Sequence, residues 1–151
     1  MDFYLVRHGE AKAETEDPRR PLSDRGRREV EEVARAAAAK GIRALAILHS
    51  DKLRAKETAE ILARYLSPIG GVRETKGLGP QDDPLVAKAE LEAAADSLML
   101  VGHLPHLGRL ASLLLTGDSE KGSVDFPPAG LVCLSHQEGR WEMRWALGPE
   151  T

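Results

Sequence analysis

The sequence predicts an α/β protein: a three-layer α/β/α sandwich whose sheet is mostly parallel and closes with a C-terminal antiparallel hairpin. Three observations carry this. Short apolar runs without polar alternation, FYLV (3–6), ALAIL (44–48) and SLMLV (97–101), read as strands buried on both faces. Longer segments with apolar positions at helical spacing separate them, the alternation expected of parallel strands joined by crossovers. Near the end, Leu131 to Ser135 and Trp141 to Ala146 flank HQEGR, a hairpin pattern that places His136 in the turn. The 151 residues suit one domain over 1–151, with no repeat, low-complexity tract or linker.

Each element has a local reason. After the first strand the chain passes through the charged, proline-bearing stretch ETEDPRRP to Ser23, which is placed to cap a helix presenting Val30, Val33, Ala34 and Ala37 on one face. Gly41 ends that helix. Behind the second strand, Ser50 is placed to cap a helix from Asp51 to about Leu66, with Ala55, Thr58, Ala59, Ile61, Leu62 and Tyr65 on its apolar face. Pro68, Gly70 and Gly71 interrupt the chain before a weak strand at Val72 to Thr75. A third helix follows from Leu85 to Ala95, and a fourth from Leu107 to Leu115 after GHLPHLG. Trp141 and Trp145, four apart on one strand, are expected to face the same side.

Composition excludes several classes of function. The net charge is −3, and basic and acidic residues are interspersed, so no nucleic-acid footprint is present. No apolar run approaches the ~20 residues of a membrane span or the core of an export signal. One cysteine, Cys133 in an apolar run, suits a core position and a reducing compartment, which points to the cytoplasm.

In open parallel sheets ligands bind beyond the carboxyl ends of the strands. There the topology gathers Arg7 and His8 after the first strand, Ser50 to Arg54 after the second, and Gly102, His103 and Leu104 after the fourth. Two arginines and two histidines with no acidic triad make a cationic pocket suited to a phosphoryl group, which arginine forks can grip bidentately. Arg54 and the segment Gly102-His103-Leu104 lie at helix N-termini, whose dipoles add to the positive field. A neutral imidazole in such a pocket can attack phosphorus and carry the phosphoryl group covalently. His103 and His106 lack acidic or thiolate companions, so no metal or other cofactor is expected.

RHGE (7–10), PLSDRG (21–26), SDKLRAKETA (50–59) and GHLPHLG (102–108) together resemble the histidine phosphatase superfamily, also called phosphoglycerate mutase-like, and the order of these motifs spans nearly the whole chain. The short length, GHLPHLG and the PPAGLVCL segment are similar to the small SixA-type phosphohistidine phosphatases. The resemblance implies His8 as nucleophile, Arg7, Arg54 and His103 as the rest of the phosphate pocket, and Gly9 as the residue that lets the backbone approach. With Leu104 these form the expected substrate-binding set. Two positions depart from the family pattern. Ser50-Asp51 stands where Ser-Pro is usual, and Gly77 stands near the place of the glutamate that serves many family members as general acid. Asp82 and Asp83 are the candidates to replace that donor.

An alkoxide leaves phosphorus with help from a positioned acid, whereas a protonated imidazole leaves readily. A missing glutamate therefore favours phosphohistidine on a protein, such as a phosphotransfer domain or phosphocarrier, as substrate. The alternatives are a small phosphomonoester as substrate, and a phosphate-binding module without turnover. Of the remaining residues, Glu10 is expected to counterbalance Arg7, His49 to complete a strand, His106 to face the pocket rim, and Asp125 and Pro127 to Gly130 to form a turn at the mouth.

Overall fold

In a computed structural model the protein is described at residues 1–122 and 124–149. Its strands are β1 (Asp2–Arg7), β2 (Ala46–His49), β3 (Val72–Glu74), β4 (Leu98–Gly102), β5 (Leu131–Gln137) and β6 (Arg140–Leu147). They form a sheet in the order β3-β2-β4-β1-β5-β6. The first four pair in parallel; β5 runs antiparallel to β1, and β6 antiparallel to β5. The helices are α1 (Asp24–Ala39), α2 (Leu53–Leu66), α3 (Pro84–Ala93) and α4 (His106–Thr116).

Alternation along β1 sorts the core into two halves. Tyr4 and Val6 join Ile47, Met99 and Val101 under α1 and α2, where Val30, Val33, Ile61 and Leu62 cover them. Phe3 and Leu5 join Leu48 and Leu100 on the opposite face, under Leu91 of α3 and Leu107 and Leu110 of α4. This is the predicted three-layer arrangement. Among the described residues, no helix is long and apolar enough to cross a membrane.

Local chemistry explains most boundaries. Ser23 caps α1 by accepting from the Gly26 N–H at 3.0 Å. Asp83 caps α3 by accepting from the Leu85 N–H, with Pro84 in the first turn, where its missing N–H costs nothing. The expected cap of α2 is corrected. That helix starts at Leu53 after an extended Lys52, and the hydroxyl of Ser50 is turned to a histidine across the sheet.

The C-terminal hairpin differs from expectation in two ways. Its turn is Glu138-Gly139, with φ of 52° and 78°, the two positive values of a type I′ turn. His136 lies before it in β5, paired with Trp141 and stacked on its indole at 4.3 Å between ring centroids. A register shift at Cys133/Leu134 then places the two tryptophans on opposite faces: Trp141 packs with Phe3 and Trp145 with Tyr4. One extra residue in a strand reverses the face of everything beyond it, so spacing alone mispredicts the pair.

Two glycines bring the segment after β1 against α1. A Cβ on Gly9 would press the Val30 side chain at 2.7 Å, and one on Gly26 would fall on the Glu10 carbonyl oxygen. The Glu57 carboxylate on α2 binds this region too, accepting from the Leu22 N–H at 2.7 Å and from Arg27 at 2.8 Å. Gly→Ala in a helix interior ordinarily stabilises by about 0.5–1 kcal/mol. At Gly26 the opposite is expected: Gly26→Ala loses about 1–3 kcal/mol of unfolding free energy in urea titrations, because backbone must move to admit the methyl group.

Candidate active site

The carboxyl ends of β1, β2 and β4 lie side by side, with Arg7 paired to Gly102 and His49 to Val101. His8 has left the strand but remains tied to it. Its N–H donates to the Gly102 carbonyl at 3.0 Å, while its own carbonyl accepts from the Ala129 N–H at 3.3 Å. The segment before β5 supports Arg7 as well, with Gly130 accepting from the Arg7 N–H at 2.9 Å and Phe126 accepting from Nη1 at 2.9 Å. The expected mouth turn thus carries Arg7 and His8 from behind.

A threonine joins this loop to α2. The Gly9 N–H donates to Thr58 Oγ1 at 3.1 Å, and the Thr58 hydroxyl donates to the Arg54 carbonyl at 2.8 Å. Arg54, second residue of α2, is thereby held in register with His8. Gly9 earns its place by close packing against α1. Glu10, expected opposite Arg7, instead accepts from the Ser23 hydroxyl at 2.9 Å.

His8 Nδ1 lies 2.7 Å from the Gly9 carbonyl oxygen, which can only accept, so the proton sits on Nδ1 and a neutral ring keeps its lone pair on Nε2. Burial is the largest influence on its pKa, which falls from the ordinary 6.5 to about 4; the Gly9 hydrogen bond opposes this, and Arg54, Arg7 and Arg20 reinforce it. The His103 ring lies 4.9 Å from that of His8, tilted by 56°. Its pKa falls to about 3, first through burial and then through His8, Arg54, Lys52 and His106. Both rings are neutral near pH 7.

The structure therefore brings Arg7, His8, Gly9, Arg54 and His103 together, with Leu104 exposed beside His103. Asp82 and Asp83 are exposed at the edge of a cavity of about 630 Å³ shared with Ser50, Lys52 and Gly77. Each is engaged in its own loop, Asp82 accepting from the Gly79 N–H at 2.7 Å and Asp83 from the Leu85 N–H at 3.0 Å. Their field is felt at His106, which opens α4 and is fully buried, away from any rim.

Arg20 was not legible as a site residue. It stands at φ 49°, donates from Nε to the Lys12 carbonyl at 3.0 Å, and shares a cavity of about 540 Å³ with Arg54 and Lys52. Its charge lowers the pKa of both His8 and Arg54. Only its position before Pro21 separated it from Arg19 in the sequence, and that signal says nothing about a pocket.

Comparison with known proteins bears on the family and the fold. Residues 3–79 match the model of the histidine phosphatase superfamily (branch 1). The chain is 39% identical over 142 residues to an uncharacterized protein of Picosynechococcus sp. (strain ATCC 27264 / PCC 7002 / PR-6), covering 89% of this chain and 84% of that one. It is 25% identical to the phosphohistidine phosphatase SixA of Escherichia coli (strain K12), over 99% of this chain and 94% of the relative. A solved structure of the protein histidine phosphatase SixA complexed with tungstate superimposes with a TM-score of 0.86 at 26% identity, covering 99% of this chain and 97% of the other. Fold and relatives together define a phosphatase. The chain belongs to the histidine phosphatase superfamily.

The depressed histidines couple folding to pH. Because the folded state holds His8 and His103 neutral while unfolded histidines protonate near 6.5, the unfolded state binds more protons between pH 6.5 and about 4 to 3. The stability these two neutral rings allow is complete above pH 6.5 and is lost as pH falls through that window. Thermal melts from pH 7.5 to 4.5 are expected to show a declining Tm, with a shallower decline in His8→Asn; equal slopes would contradict it.

Proposed function

We propose that the protein hydrolyses phosphohistidine on a partner protein through a phosphorylated His8. The observation that carries this reading is the 2.7 Å contact of His8 Nδ1 with the Gly9 carbonyl, which leaves Nε2 with its lone pair among Arg7, Arg54 and His103. The similarity to SixA of Escherichia coli, whose name states that activity, supports it, as does the fold shared with a SixA that binds tungstate, a tetrahedral oxyanion of phosphate's shape.

In the first step Nε2 of His8 attacks phosphorus while the substrate's P–N bond breaks. The departing imidazole keeps the bonding pair and leaves neutral, having been protonated by solvent on its other nitrogen. Arg7, Arg54 and His103 would hold the equatorial oxygens, and Arg20, lining a cavity with Arg54, would add positive field. Water then attacks the phosphorylated ring, its proton passes to solvent, inorganic phosphate departs, and His8 Nε2 recovers its lone pair. Neither step calls for a metal or other cofactor.

Gly77, at φ +89°, stands near the place where the resemblance puts the family's usual acid, and the charged or ring groups that act on His8 and His103 are arginines, Lys52 and imidazoles. That environment suits a leaving group needing little help from the enzyme. Leu104, 39% exposed beside His103, would meet the substrate at the rim. The partner would be a phosphotransfer domain or phosphocarrier, and its place of action the cytoplasm. A second reading, a small phosphomonoester protonated by Asp82 or Asp83, draws on their position in the cavity next to Ser50 and Lys52.

Phosphate release from a histidine-phosphorylated protein and from a small ester, both with chelator present, separates the two. The phosphoprotein is expected to be preferred, with activity lowered by about 10³-fold or more in His8→Asn and unchanged in Asp82→Asn and Asp83→Asn. Preference for the ester, lost with either aspartate, would establish the second reading. Arg20→Ala is expected to raise KM by roughly tenfold through loss of a positive charge near the phosphoryl pocket; an unchanged KM would remove Arg20 from the site.

A further inference from the structure

Ser50 is 1% exposed at the end of β2, and its hydroxyl oxygen lies 2.6 Å from Nε2 of His103. The same oxygen accepts from the Lys52 N–H at 3.3 Å. The Ser50 peptide is itself braced, because Nδ1 of His49 donates to the Ser50 carbonyl at 2.8 Å. The other nitrogen of His103, Nδ1, is buried and has no hydrogen-bond partner among the described residues. One nitrogen of this ring is therefore committed to serine, and only the other is left to meet a phosphoryl oxygen.

A neutral imidazole has a single N–H, so the serine contact and the remaining nitrogen are linked. With the proton on Nε2, the ring donates to Ser50 and Nδ1 presents a lone pair, which would repel an anionic oxygen. With the proton on Nδ1, the Ser50 hydroxyl donates to Nε2, having accepted from Lys52, and Nδ1–H becomes a donor. Only the second arrangement lets His103 act with Arg7 and Arg54 on an oxyanion. Free imidazole side chains favour the Nε2–H form in water, so something must reverse the preference.

We propose that Ser50 is a positioning residue that holds His103 in its Nδ1–H form, so that the ring enters the phosphoryl pocket as a hydrogen-bond donor. The inference rests on the phosphatase site described above and adds a determinant one residue removed from the chemistry. It also accounts for the bare N-terminus of α2: the serine that could cap the helix serves the histidine instead.

Ring-nitrogen NMR of the ¹⁵N-labelled full chain at pH 7.5 tests this, with His103 assigned by its loss in His103→Gln. In wild-type protein without ligand, Nδ1 is expected to carry the proton and Nε2 to be unprotonated; the opposite pattern overturns the proposal. In Ser50→Ala the ring is expected to shift toward the Nε2–H form, and kcat for an aryl phosphate to fall by at least about tenfold. A fall in kcat with the Nδ1–H form retained would also overturn it, since serine would then act in another way. The wild-type tautomer is read without substrate, so it stands or falls separately from the choice of substrate.

Discussion

The hydrogen bond from the His8 N–H to the Gly102 carbonyl is the contact on which the site depends. It extends the β1–β4 pairing one residue past the strand, so the residue after Arg7 on one strand and the residue after Gly102 on the next emerge side by side. From that adjacency follow the 4.9 Å separation of the two rings and their mutual electrostatic influence. The supports on either side keep it in place: Gly130 and Ala129 from the segment before β5, and Thr58 from α2.

Charge is arranged at the cost of stability. Three arginines act on a half-buried imidazole, and Arg7 Nε and His103 Nδ1 are buried without partners among the described residues. Unsatisfied groups of this kind are expensive in a core and characteristic of a site prepared for a ligand of opposite character. The burial that makes them costly also keeps both histidines neutral, which is the state the proposed nucleophile and the proposed single-proton donor require. Stability and reactivity are thus two consequences of one environment.

Much of the fold was legible because each signal was local. Unbroken apolar runs marked strands covered on both faces, Ser23 marked the start of α1, and strand-helix alternation implied the parallel pairing later found. The candidate residues Arg7, His8, Arg54 and His103 were legible for a topological reason, since all stand at or just past the carboxyl ends of neighbouring strands. What escaped depended on partners distant in sequence. Ser50 looked like a helix cap because the histidine it contacts is 53 residues away. Trp145 looked like a companion of Trp141 because nothing in the intervening residues announces the bulge.

By itself the sequence determined the layering of the protein and the cationic and imidazole side chains that its strand ends would gather, because periodicity and residue type act over a few positions. Only the tertiary structure decided which side of a strand each tryptophan takes, that Arg20 belongs beside Arg54, and that a serine speaks to His103 and not to its own helix. These outcomes are competitions between partners brought together by folding, and a hydrogen-bonding group with several possible partners takes the one the fold places within reach.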